Sequence, residues 1–192
     1  MEISVSPVTQ ETVARYCEIP SSVEVNARLE VELLADGYKG IIFKEKAVEK
    51  PYIKDYGGYD GFLKWTQEFD TRQWVIFLLK DGKKSVGGLT VACRTQGLWM
   101  LAGRNDLVCV WDIRVHPDYQ HRGYGTRLFE KAIEWSKSER YKQLCVETQN
   151  INVPACRFYL KQGCTLGGVN RYAYRADPRV ADETQLVWYL DL

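Results

Sequence analysis

The stretch from Leu107 to Lys137 constrains this chain more than any other. Leu107 to Val115 is an apolar run of strand length, and His116-Pro117-Asp118 ends it, because proline cannot donate to a ladder. The turn Gln120-His121-Arg122-Gly123-Tyr124-Gly125-Thr126 follows. Thr126 to Lys137 is then an amphipathic helix, with Leu128, Phe129, Ala132 and Ile133 on one stripe and Arg127, Glu130, Lys131 and Glu134 facing water. This order puts the first backbone N–H groups of a helix at a glycine turn. Those groups lack intrahelical partners, and the helix dipole adds partial positive charge, so an anion fits there. The glycines let the backbone approach the anion, and Arg122 can add charge from the flank. Two phosphate-binding patterns are excluded. A dinucleotide fingerprint needs a third glycine where Leu128 stands, and a P-loop needs Gly-Lys-Ser/Thr. An ordinary strand-to-helix turn would read the same on this feature alone.

The rest of the chain frames that unit. Ile3 to Val8 alternates as a first strand, and Thr9 can cap a helix holding Thr12 to Tyr16. Val23 to Leu34 shows helical spacing through Val25, Leu29 and Leu33. Trp74 to Leu79 and Val86 to Cys93 form a hairpin about Asp81-Gly82. Leu144 to Thr148 is a short buried strand. Asn152 to Gln162 is a helix capped by Asn152, with Pro154 in its first turn and Gly163 as its stop. Leu166 to Tyr174 and Gln185 to Leu190 close the order as strands. The expected class is α/β in the mixed, α+β sense, a mostly antiparallel mixed sheet flanked by helices, in a single domain over residues 1–192.

Composition narrows the function. A formal net charge of +1 and the lack of a Lys/Arg run argue against nucleic acid. No run of 18 apolar residues argues for a membrane span, and Met1 to Pro7 has no apolar signal core, so the expected location is the cytoplasm. Six cysteines without a CxxC pair, three of them in apolar runs, read as reduced residues rather than a disulfide framework. Two histidines and no ligand-spaced cluster argue against a metal. A homodimer stays open.

Gln120-x-x-Gly123-x-Gly125, after Asp112-Ile113-Arg114-Val115-His116-Pro117, resembles the Q/R-x-x-G-x-G/A signature of GNAT acetyltransferases. Downstream, Asn152-x-x-Ala155-x-x-Phe158-Tyr159-x-x-x-Gly163 is similar to the later motif of that family, in the expected order and separation. The resemblance implies acetyl-CoA as co-substrate, with no metal. It implies that Gln120, His121, Arg122, Gly123, Tyr124, Gly125 and Thr126 form the pyrophosphate site. It also implies that backbone groups of Ile113 and Val115 pair with the pantetheine arm and that Asn152 touches it. Tyr159 takes the position of the acid that protonates the departing thiolate; a core aromatic on a helix face is the other reading.

Acetyl transfer to an amine also needs a base. Glu147 lies in the apolar strand Leu144-Cys145-Val146-Glu147, where a carboxylate is costly unless it faces a cleft or a partner. Burial would raise its pKa toward that of a useful base. Its spacing to Asn152 and Tyr159 is similar to that in ribosomal-protein alanine N-acetyltransferases. A structural carboxylate paired with Lys or Arg explains it equally. Asp112 is the other candidate, as base or as a binder of a cationic substrate.

Asp55, Asp60, Glu68 and Asp70 lie among Tyr52, Tyr56, Tyr59, Trp65 and Phe69, a composition suited to holding an ammonium group and also common in solvated loops. Glu68 and Asp70 join Asp112 as expected substrate-binding residues. Trp111 to Val115, Val146 to Cys156, Gly167 to Tyr172 and Gln185 to Tyr189 look like streptothricin acetyltransferases. That resemblance implies acetylation of the β-lysine amine of streptothricin, and hence antibiotic resistance. A protein N-terminal or lysine acetyltransferase, or an acyl-CoA sensor, would share the core.

Overall fold

The computed structural model describes residues 1–57 and 59–192, without the side chains of Tyr59, Asp60, Phe62 and Leu63. The chain forms two compact units. One comprises Met1–Ser21, Tyr56–Val146 and Leu190–Leu192; the other comprises Ser22–Asp55 and Glu147–Tyr189.

The first unit opens with β1 (Glu2–Pro7) and α1 (Gln10–Cys17). Thr9 caps α1 by accepting from Thr12 N–H at 3.2 Å, while Thr12 Oγ1 accepts from Thr9 N–H at 2.8 Å. Such a reciprocal cap is worth about 1 kcal/mol. The next strands, β2 (Ser22–Leu34) and β3 (Gly40–Asp55), belong to the second unit. The first unit resumes with α2 (Tyr59–Glu68), β4 (Val75–Asp81), β5 (Lys84–Cys93), β6 (Leu107–Val115), α3 (Tyr124–Ser138) and the start of β7 (Gln143–Gln149). Its strand order is β1-β4-β5-β6-β7. All these pairs are antiparallel except β6 with β7.

β5 is central, buried from Ser85 to Cys93, and a helix covers each of its faces. Neighbouring residues of a strand point to opposite faces. A Cβ on Gly88 would lie 2.5 Å from the Tyr16 ring of α1, and one on Gly87 would lie 3.1 Å from Leu128 of α3. Val13, Tyr16, Ile19, Ile76 and Leu78 pack the α1 side. The expected mixed α/β class is therefore the observed one.

In the second unit, β2 and β3 form a long antiparallel ribbon. The helical spacing of Val23 to Leu34 is overturned. Val25, Leu29 and Leu33 recur every four residues, a spacing that also keeps one face of a strand. Ala27 and Val31 fill the alternate positions of that face, while Arg28, Glu30 and Glu32 take the other. Asp36 and Gly37, at φ 55° and 95°, supply the left-handed backbone for the reversal. The end of β7, α4 (Val153–Lys161), β8 (Thr165–Asn170) and β9 (Gln185–Asp191) follow. β8 stops four residues short of the expected Tyr174, and turns with one bend occupy 171–182. All six cysteines are free thiols.

Candidate active site

The glycine turn is built as its sequence requires. Gly123 sits at φ 80° as the N-cap of α3, with no side-chain cap and open space where a Cβ would stand. His121 also has φ 60°. The first helical bond runs from Arg127 N–H to the Gly123 carbonyl at 3.1 Å, so the amides of Tyr124, Gly125 and Thr126 precede the ladder. Arg122 lies 5.6 Å from the Tyr119 ring centroid, which keeps its guanidinium beside the turn. Amides that precede the helical ladder, a positive helix end and a flanking arginine are a donor set for a diphosphate.

β6 leads into this turn. Its ladder to β7 ends at Val110↔Val146, whereas its ladder to β5 continues to Val115. Trp111 is the extra residue of a bulge between Val91↔Val110 and Thr90↔Asp112, which bends the strand. Ile113 and Val115 therefore have strand pairing on the β5 edge only, among the described residues. Gln120 Nε2 donates to the Val115 carbonyl at 3.0 Å and ties the turn to the strand end.

Asp112 stands on β6 within a clamp. Its Oδ2 accepts from Arg114 Nε at 2.7 Å and from the Tyr16 hydroxyl at 2.5 Å. Arg114 also donates to the Ile19 carbonyl at 3.2 Å and stacks 4.7 Å from the Tyr16 ring centroid. Burial and the nearby Asp112 charge push the Tyr16 phenol pKa up. The negative charge expected to meet a substrate cation thus already has Arg114 as a partner.

The acidic and aromatic segment separates into two parts. Trp65 and Phe69 pack edge-on against Trp111, at 5.6 and 5.5 Å, and Trp74 adjoins them at 5.4 Å from Trp111. Glu68 pairs with Lys64, and Asp70 with Arg72, on exposed surface. Hydrogen bonds from Arg72 hold the Asp70 pKa down at about 2. Asp60 and Tyr59, named above with them, have side chains outside the described residues.

The second unit holds the other chemistry. Asn152 Oδ1 accepts from Ala155 N–H at 3.2 Å, capping α4 as its sequence indicates. Tyr159 is buried on α4 at 3% exposure. Glu147 is half-buried on β7, where loss of hydration raises its carboxyl pKa despite opposing hydrogen bonds. Tyr174 donates its hydroxyl to Glu147 Oε1, and Gln149 Nε2 donates to the same oxygen at 3.2 Å. Nearby, Lys54 of β3 reaches both carboxylate oxygens of Glu183 at 2.5 Å.

The sequence reading missed Tyr174, Lys54 and Glu183 because they come from the ribbon and from the turns before β9. Gln149 and Asn150 lay inside a quoted motif, but no role had been assigned to them. Asn150 joins distant segments by donating to the Leu29 carbonyl at 2.7 Å and accepting from Thr184 N–H at 2.8 Å.

The sequence profile of the acetyltransferase (GNAT) family matches residues 42–164. Streptothricin acetyltransferase A of Bacillus subtilis is 31% identical over 147 residues, 77% of this chain and 78% of that protein. Streptothricin acetyltransferase of Escherichia coli is 30% identical over 189 residues, 98% of this chain and 95% of that protein. A Bacillus anthracis protein provisionally named as a streptothricin acetyltransferase, solved in complex with acetyl coenzyme A, superposes with a TM-score of 0.75 at 26% identity, over 100% of this chain and 98% of that one. A glycine turn uncapped at a helix start, a strand bent into it, and these matches across the chain lead to one assignment: the protein belongs to the GNAT acetyltransferase family.

Proposed function

We propose that this protein transfers the acetyl group of acetyl-CoA to a primary amine of a small cationic molecule, the β-lysine moiety of streptothricin, and so confers resistance to that antibiotic. The observation that carries the reading is the start of α3, where Gly123 offers neither a side-chain cap nor a Cβ, and the amides of residues 124–126 precede the ladder. These amides, with Gln120, His121 and Arg122, would bind the diphosphate of acetyl-CoA. Backbone groups of Ile113 and Val115 would pair with its pantetheine arm, which Asn152 would also touch. Named relatives at 30–31% identity support the choice of streptothricin. Because the family match crosses both compact units, we read residues 1–192 as one acetyltransferase domain.

In this reading Glu147 is the base. The amine nitrogen attacks the thioester carbonyl, its proton passes to a Glu147 carboxylate oxygen, and Tyr159 gives its phenolic proton to the departing thiolate. Glu147 is preferred to Asp112 as base because Asp112 is already held by Arg114 and Tyr16. Asp112 serves Arg114 rather than the substrate, and Glu68 and Asp70, on exposed surface, remain carboxylates that can draw in a cationic substrate. No helix among the described residues is long and apolar enough to cross a membrane, and the cytoplasm is the proposed location.

The test expresses the chain in a streptothricin-sensitive bacterium and follows the purified protein's products by mass spectrometry. Resistance and one added acetyl group on the drug support the reading. No resistance, no acetylated drug and brisk acetylation of a peptide amine would replace it with a protein acetyltransferase.

A further inference from the structure

The groups around Glu147 form a closed arrangement. Gln149 follows two residues later on the same face of β7. Its Nε2 donates to Glu147 Oε1 at 3.2 Å and to the Tyr174 hydroxyl oxygen at 3.3 Å. With that bond accepted, the Tyr174 hydroxyl hydrogen goes to Glu147. Tyr174 itself lies among the turns of 171–182, in the segment between β8 and β9 that has no ladder of its own. Side chains fix that segment instead: Arg28 of β2 binds Asp182 at 2.8 Å, Lys54 of β3 binds Glu183, and Asn150 takes the Thr184 amide.

The titratable groups facing Glu147 are Tyr174 from these turns, Lys54 from β3, Glu183 before β9 and Cys156 from α4. Lys54 offsets only one of the two carboxylates. An ionised Glu147, half-buried and partly stripped of hydration, therefore leans on its hydrogen-bond donors.

We propose that Tyr174 is a positioning residue for the base: with Gln149 it fixes the orientation of the Glu147 carboxylate and keeps it ionised, ready to take an amine proton. The proposal rests on the reading of Glu147 as the base. It also gives the β2–β3 ribbon a task, since Arg28 and Lys54 anchor the segment that bears Tyr174.

The experiment compares Tyr174→Phe and Gln149→Met with the native chain by two measurements. The first is a ¹³C NMR titration of the glutamate side-chain carboxyls, with Glu147→Gln identifying the Glu147 signal. The second is the pH profile of kcat/KM for streptothricin acetylation. Tyr174→Phe keeps the ring but removes one hydrogen bond to a charge. The Glu147 titration and the acid limb should both move up by about one pH unit. At neutral pH kcat should fall, by less than about tenfold, with KM for acetyl-CoA unchanged. Gln149→Met should shift both in the same direction and serves alone if Tyr174→Phe does not fold. A native Glu147 titration in the folded variants overturns the positioning role whatever the activity. Native kcat in Glu147→Gln overturns the base assignment instead.

Discussion

Replacing Asp112 by Asn removes one charge from a buried pair and changes little else. The Asp112 and Arg114 side chains are 17% and 7% exposed, and their contact is 2.7 Å. The new side-chain amide could still accept from Tyr16 and from Arg114, so the geometry can survive. The guanidinium would keep only the Ile19 carbonyl, the Tyr16 ring and a neutral amide oxygen as partners. Deleting one member of a buried ion pair costs about 3–5 kcal/mol. Retained hydrogen bonds reduce this to about 2–3 kcal/mol. For a chain of about 150–250 residues each kcal/mol moves Tm by about 2–4 °C, so Asp112→Asn should lower Tm by roughly 4–12 °C in calorimetry. Arg114→Met added to Asp112→Asn removes the stranded charge and should recover much of the loss, a coupling that a double-mutant cycle reads directly. An unchanged Tm with a higher KM for the amine would refute this reasoning: Asp112 would then serve the substrate and not Arg114.

Three other outcomes follow from the site. Gly125→Glu puts a side chain and a negative charge at the start of α3, so calorimetric binding of acetyl-CoA should vanish while circular dichroism stays native; retained affinity would move the diphosphate elsewhere. Tyr159→Phe keeps the buried ring and should cut turnover about 10²–10⁴-fold, with acetyl-CoA affinity little changed, where chemistry limits the rate; native turnover would leave Tyr159 as a packing residue. Glu147 has a folded pKa above its ordinary 4.5 because burial favours the protonated acid. The fold then binds more protons than the unfolded chain between those two values, so stability falls as pH rises through that window. Glu147→Gln should therefore have a higher Tm than the native chain above the window and an equal one near about pH 4, below both values; equal melting at all pH values would show that the carboxylate is fully compensated.

The strand, glycine turn and helix at 107–137 were legible in the sequence because each obeys a local rule. Pro117 ends a ladder, Gly123 permits φ 80°, and an apolar stripe repeats at helical spacing. The caps at Thr9 and Asn152 were legible for the same reason: a side chain bonds an amide three residues away. The ribbon 22–55 was not, since Val25, Leu29 and Leu33 fit both a helix and a strand, and only pairing with residues 40–55 decides between them. The surroundings of the candidate acids were also beyond local reading. Asp112 stood out as an acid in an apolar strand, but Tyr16, 96 residues away, helps hold it. Glu147 stood out likewise, yet Tyr174 comes from 27 residues downstream, and Lys54 and Glu183 pair across 129. Sequence alone marks a costly buried charge; only the tertiary structure supplies its partners, because hydrogen bonds and ion pairs depend on distance in space rather than along the chain.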